Sequence, residues 1–135
     1  MTQAANAAPK ANAQVWTGRA LSTLVILFLL MDAGMKLARL PIVIETSAQL
    51  GWPAETALPL GVILLICTLL YAYPRTAVFG AILLTAYLGG AVATHVRIGS
   101  PLFSHVLFGV YFSLFVWGGL WLRDAGVRAL LPFKR

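Results

Sequence analysis

Five ionisable side chains lie within or beside the long apolar stretches of this 135-residue sequence, and their types and spacing could support chemistry. Ionisable groups cost free energy in apolar surroundings, so they are the first candidates for a function. Two histidines and a carboxylate can ligate a divalent metal ion, and a histidine can hydrogen-bond a polar head group such as a quinone carbonyl. The candidate ligand-binding residues are Asp32, Lys36, His95, Arg97 and His105.

The same residues also have a purely structural interpretation. Lys36 follows Asp32 by four residues, the spacing at which two side chains of one helix meet, so a local ion pair accounts for both. The whole set could instead form only a hydrogen-bonded clasp between helices. The two histidines, ten residues apart across a turn, are a weak metal motif compared with HExxH, and we predict no metal site.

No catalytic motif accompanies these residues. The sequence contains no GxxxxGK[ST], no GxSxG, no CxxC and no carboxylates paired at a useful spacing. The single cysteine, Cys67, excludes an internal disulfide and a multi-cysteine metal site. The sequence therefore assigns no catalytic residue and leaves open whether the protein is an enzyme.

The composition indicates a membrane protein. Apolar residues make up 60% of the chain and charged residues 10%, whereas soluble domains are roughly 45–50% apolar and about 25% charged. The net charge of +6 does not indicate nucleic-acid binding, because the basic residues lie at the ends of apolar runs. Basic residues at the ends of apolar runs instead lie beside anionic lipid head groups and indicate the orientation of the chain in the membrane. The lipid bilayer is therefore the expected partner.

Four uncharged stretches are long enough to cross a bilayer as helices, since about 20 residues cross the ~30 Å hydrocarbon core. No segment shows the period-2 alternation of a membrane barrel. We therefore predict an all-α fold, a four-transmembrane-helix antiparallel bundle with short turns. A further stretch, 42–50, is too short to span and is expected to lie along the outer interface. The predicted spans are residues 18–38, 56–74, 76–96 and 98–122, separated by Pro41, Gly51-Trp52-Pro53, Pro74 and Gly99-Ser100-Pro101.

The distribution of basic residues predicts the orientation. Lys36, Arg39 and Arg97 are the three basic residues on one side of the predicted bundle. The positive-inside rule places the richer side, with both termini, in the cytoplasm. The predicted organisation is a disordered lead-in (1–16), a transmembrane domain (17–124) and a basic cytoplasmic tail (125–135). The seven basic residues on the richer side are Lys10, Arg19, Arg75, Arg123, Arg128, Lys134 and Arg135.

The third span carries a row of small residues at every fourth position. Small residues let helix backbones approach closely in lipid, so the row predicts packing inside the bundle or, alternatively, a dimer face. Gly109, Gly118 and Gly119 of the fourth span are candidates to face it. Tyr71 and Tyr73 are expected to anchor the second span at the membrane interface. The row consists of Ala77, Ala81, Thr85, Gly89 and Ala93.

The antiparallel arrangement brings the five candidate residues into one layer. Asp32 is 13 residues beyond Arg19, or roughly 20 Å along a helix, and so lies in the outer half of the membrane. His95 ends the third span and His105 begins the fourth, which places both in the same half. We expect no comparable polar layer in the inner half.

The stretch from Tyr73 to Asp124 resembles the DoxX-like family of small bacterial inner-membrane proteins. The resemblance rests on YPRTAV, GGAVATHVR and GSPLFSH, together with LGWP at residues 50–53, and extends from about residue 17 to the C-terminus. It implies four transmembrane helices and a location in the bacterial inner membrane. It also implies a quinone-linked redox role, with quinone as the cofactor to consider, but it transfers no catalytic residue.

Three functions fit these observations. The first is an integral membrane protein that binds a quinone-like or lipophilic ligand in the outer polar layer. The second is a membrane subunit of a quinone-linked oxidoreductase, with a redox protein as its partner. The third is a non-catalytic membrane scaffold, for which a larger complex or a homo-oligomer would be the partner.

Overall fold

A computed structural model describes residues 2–133, with side chains described from residue 12 onward. The described residues form helices and turns and include no β-strand, which confirms the all-α prediction. Lys134 and Arg135, which belong to the predicted basic tail, lie outside the described residues. The helices in chain order are α1 (Thr2–Leu37), α2 (Pro41–Gln49), α3 (Ala57–Ala72), α4 (Ala77–Arg97), α5 (Phe108–Arg123) and α6 (Ala125–Leu130).

Four helical segments among the described residues are long and apolar enough to cross a membrane. Three of them begin with a short turn of another helical type, which places a 3-10 turn before α3, a second before α4, and a π-helical turn before α5. These spans agree with the four predicted from the uncharged stretches, so the bundle prediction is confirmed. The segments are Asn12–Leu37, Ala54–Ala72, Pro74–Arg97 and Leu102–Arg123.

The first helix is longer than the sequence suggested. It begins at Thr2, whereas a disordered lead-in was expected through residue 16. The physical reason is composition, because alanine has the highest helix propensity and recurs throughout this segment. The domain boundaries at residues 16 and 124 stay predictions.

The turns form where the sequence places residues suited to them. Arg39 has a φ of 54° at the end of α1, and Pro41 occupies the first turn of α2, where its missing N–H costs nothing. Gly51 and Gly99 adopt φ values of 84° and 72°, a left-handed conformation that other residues rarely tolerate. The short helix α2 corresponds to the predicted interfacial segment.

The four spanning helices form a ring in the order α1, α3, α4, α5. The helix α1 packs against α3 and α5, and α4 packs against the same two helices, so α1 and α4 are diagonal to each other. The bundle interior is filled by aliphatic side chains from all four helices, including Leu29, Leu64, Leu84 and Val116. We call the end that holds Gly18 and Arg123 the termini end, and the opposite end the far end.

Glycines mark the closest approaches between helices. A Cβ on Gly119 would lie 2.5 Å from Ser22 Oγ of α1, and a Cβ on Gly80 would overlap the backbone of Tyr71 in α3. Gly109 meets Leu88 in α4. Gly118 and Gly119 face α1 and not α4, so only Gly109 faces the helix that carries the row of small residues.

The row of small residues on α4 divides into a buried part and an exposed part. Ala77 and Ala81 are buried, whereas Thr85, Gly89 and Ala93 are exposed. The reason is helix geometry, because a strict four-residue step rotates about 40° around a helix with 3.6 residues per turn and leaves the interface after two steps. Within the exposed half, Thr85 still accepts a hydrogen bond from Trp117 Nε1 of α5 at 2.7 Å, whereas a Cβ on Gly89 would meet no atom within 4 Å.

Candidate functional site

The five predicted site residues lie at or toward the far end of the bundle and form three separate groups. One group is the Asp32–Lys36 pair on α1. The second is the pair of histidines where α4 turns into α5. The third is Arg97, which reaches the loop between α2 and α3.

The first group is an ion pair within one helix. Lys36 Nζ lies 2.5 Å from Asp32 Oδ1, and their side chains are 18% and 35% exposed respectively. The Lys36 stem packs against α3, because a Cβ on Gly61 would lie 3.0 Å from Lys36 Cβ. The pair therefore neutralises its own charge locally, which is one of the two interpretations that the spacing allowed.

The second group is a contact between two imidazole rings. The centroids of His95 and His105 are 5.8 Å apart, and the ring planes meet at 64° in an edge-to-face arrangement. His95 Nδ1 is hydrogen-bonded to Ser100 Oγ at 2.9 Å, and His105 Nδ1 to Ser104 Oγ at 2.7 Å. Among the residues that the structure describes, neither Nε2 atom has a hydrogen-bond partner. Both rings therefore present an unused polar atom.

The connection between α4 and α5 explains how the histidines meet. Gly99 reverses the chain, and the backbone N–H of Ser100 donates to the carbonyl of His95 at 3.0 Å. His105 lies in the π-helical turn Leu102–Val106, in which Val106 N donates to Pro101 O across five residues. Such turns are rare and occur frequently at functional sites. Sequence spacing alone does not reveal this wider turn.

The third group borders a groove at the far end. Arg97 Nη2 donates to the carbonyl of Leu50 at 2.5 Å, and this bond ties α4 to the loop before α3. The groove has a volume of about 390 Å³. It is lined by Gly51, Trp52, Ala93, Thr94 and Arg97.

The five residues of the predicted layer do not form one hydrogen-bonded network among the described side chains. No hydrogen bond or ion pair joins Asp32 to either imidazole among the described side chains, and α1 lies diagonally opposite α4. No group of three potential metal-ligating residues lies close together in the part of the chain that the structure describes. The role of these residues in ligand binding stays a prediction, and the histidine pair is the part of the set that geometry brings together.

The termini end contains a polar centre that sequence reasoning missed. Tyr71 is fully buried and not an interface anchor: its hydroxyl donates to Val116 O at 2.7 Å and so accepts from Ser22 Oγ at 3.0 Å. The Arg123 guanidinium lies over the Tyr71 ring, with Cζ 5.6 Å from the ring centroid. The sequence signal for this polar centre was Ser22, a hydroxyl residue within the first span whose side chain is buried in the structure.

A sequence model of the DoxX-like family matches residues 20–119. The match covers more than two thirds of the chain and includes all five predicted site residues, while Arg123 lies beyond it. No curated protein and no solved structure gave a significant match.

Proposed function

The chain belongs to the DoxX-like family of multi-pass membrane proteins, and we propose that it binds the polar head of a quinone-like lipophilic ligand at the His95–His105 pair. The observation that carries this proposal is the pairing itself. Two imidazoles from different helical elements contact each other, and each keeps one ring nitrogen without a partner among the described residues.

The hydrogen bonds to the serines are compatible with the protonation that a carbonyl ligand needs. When a serine hydroxyl donates to Nδ1 of a neutral imidazole, the ring proton resides on Nε2. An Nε2–H group then donates to a carbonyl oxygen of the ligand. Two such donors side by side suit a planar ring with carbonyl groups, such as a quinone.

The surroundings suit a ligand with an apolar tail. Val96, Leu102 and Phe103 are exposed large apolar side chains next to the histidines in sequence. In a bilayer these side chains contact acyl chains, where the ligand's tail would also lie. His105 is exposed and His95 half-buried, so a ligand can approach the pair from the side of the bundle.

The proposal includes the location and orientation of the protein. We infer that it lies in the bacterial inner membrane with both termini in the cytoplasm, because seven of its ten basic residues lie on the side of the termini. The histidine pair then faces the periplasmic half of the membrane. A redox partner and a homo-oligomer belong to the alternative functions.

Binding of decylubiquinone to the purified protein in lipid nanodiscs tests the proposal. Quenching of tryptophan fluorescence reports binding, since the chain has four tryptophans. We expect His95→Ala and His105→Ala each to raise the Kd about tenfold, which corresponds to the loss of one hydrogen bond of about 1.4 kcal/mol.

Thr46→Ala is the matched control, because Thr46 is an exposed far-end hydroxyl that bonds only to its own helix, at Ile42 O. Its Kd should equal that of the unaltered protein. Equal affinity of all three variants, or no quenching by the quinone, contradicts the proposal and favours the scaffold function.

A further inference from the structure

Arg123 presents an unpaired edge of its guanidinium at the termini end. Its Nε and Nη2 atoms are buried and have no hydrogen-bond partner among the described residues. The residue as a whole is half-buried, and Cζ lies 5.6 Å from the centroid of the Tyr71 ring. The side chain therefore lies near the surface of the bundle, but its Nε and Nη2 atoms are covered, and an anion reaches them only when the guanidinium turns outward.

The Nε–Nη2 edge has a specific chemistry. Its two N–H groups point in parallel and bind two oxygens of one carboxylate or phosphate group. Buried donors are nearly always paired in folded proteins, and an unpaired buried cation is especially unfavourable. The Tyr71 ring offers its electron-rich face, but it offers no acceptor to these two N–H groups.

The carboxylate side chains of the chain do not supply the missing partner. Asp124 is the nearest in sequence, but its Oδ1 accepts from Gly126 N at 2.8 Å and from Val127 N at 3.3 Å and caps α6. The other three acidic residues lie toward the far end, on α1, on α2 and before α3. None of the four acidic side chains is therefore the described partner of Arg123.

Arg128 differs from Arg123 in that its guanidinium has hydrogen-bond acceptors, whereas Arg19, like Arg123, has an aromatic ring as its described partner. Arg128 donates to the carbonyls of Trp121 and Leu122 at 2.8 and 2.9 Å and so completes the end of α5. Arg19 stacks over the Trp16 ring at 5.1 Å. Both still add positive potential at the termini end, which attracts an anion to the free edge of Arg123.

The position of Arg123 along the bundle indicates what kind of anion reaches it. Arg123 is the last residue of the fourth spanning segment, so it lies at the depth of the lipid head groups. From these observations we propose that the Nε–Nη2 edge of Arg123 binds a phosphate oxyanion at the termini end of the bundle. A phospholipid head group and free phosphate share this chemistry, and the experiment separates them.

The test measures the thermal stability of the purified full chain in a neutral detergent. The three probes are short-chain phosphatidylglycerol, inorganic phosphate, and a diacylglycerol of equal chain length that lacks phosphate. We expect phosphatidylglycerol to raise the Tm in a saturable way and the diacylglycerol to have no effect. Saturable stabilisation by inorganic phosphate alone would support the site and identify free phosphate as its source.

Substitutions assign the effect to Arg123. Arg123→Gln should raise the apparent Kd at least tenfold, and Arg123→Lys should retain part of the affinity because it keeps the charge and loses the paired edge. Arg75→Gln is the control, since it removes one positive charge from an exposed residue at the same end. If Arg123→Gln does not fold, the partial loss of affinity expected for Arg123→Lys still tests the proposal.

Two results overturn the proposal. One is an equal loss of affinity in Arg75→Gln and Arg123→Gln, which means that only net charge matters. The other is no stabilisation by either phosphate-containing probe, which means that water satisfies the guanidinium edge.

Discussion

Replacing Gly80 by alanine should separate two helices of the bundle. A Cβ at this position would lie 2.6 Å from Tyr71 Cα and 2.7 Å from the carbonyl carbon of Leu70, whereas ordinary contacts begin near 3.4 Å. The obstructing atoms belong to the backbone of α3, so no side chain can rotate away. The helices α3 and α4 must therefore move apart by most of an ångström.

The expected loss of stability follows from a comparison with Gly89, which lies on the same helix. A Cβ at Gly89 would have no neighbouring atom within 4 Å. Both substitutions gain the same helix propensity, about 0.5–1 kcal/mol, so this gain cancels in the comparison. Overpacking costs about 1–3 kcal/mol, and we expect Gly80→Ala to be less stable than Gly89→Ala by that amount.

Reversible unfolding in mixed micelles with increasing SDS measures this difference, followed by helical circular dichroism and tryptophan fluorescence. Equal unfolding midpoints for the two variants would refute the close α3–α4 contact. Gly109→Ala provides a second site if Gly80→Ala gives too little protein. Its Cβ would lie 2.8 Å from both Leu88 O and Val92 Cγ2 at the α4–α5 contact.

Three further predictions concern the polar groups and the orientation. Tyr71→Phe should lower the free energy of unfolding by about 1 kcal/mol, because it removes the hydrogen bonds to Val116 O and Ser22 Oγ. A double-mutant cycle with Ser22→Ala measures the coupling between the two hydroxyls, and strictly additive effects would exclude the Tyr71–Ser22 bond. Asp32→Asn should destabilise the protein more than the double variant Asp32→Asn/Lys36→Gln, because the single change leaves Lys36 as an unpaired cation. The same SDS titration compares the unfolding midpoints of the two variants, and a lower midpoint for the double variant would contradict the ion pair. Tags at both termini should resist protease added outside spheroplasts, as the positive-inside rule requires, and cleavage of either tag would disprove the predicted orientation.

Local features of the chain were sufficient to predict the spans and their turns. The hydrocarbon core excludes unpaired backbone groups, so an uncharged run of about 20 residues forms a helix whatever its neighbours are. Pro41, Gly51 and Gly99 end or reverse segments through their own backbone preferences. The Asp32–Lys36 pair was also predictable, since residues four apart on one helix always lie close together.

Contacts between helices depend on how each helix is rotated, and the sequence does not state that rotation. Every span of this chain is apolar on nearly all sides, so periodicity did not identify the buried face of α4 or the burial of Tyr71. The tertiary structure places α1 and α4 at opposite corners of the ring, and no hydrogen bond or ion pair joins Asp32 to the histidines among the described side chains. It also brought Arg123 over the Tyr71 ring. Membrane burial determines that a segment is helical through backbone hydrogen bonding, whereas packing between neighbouring helices determines which side chains meet.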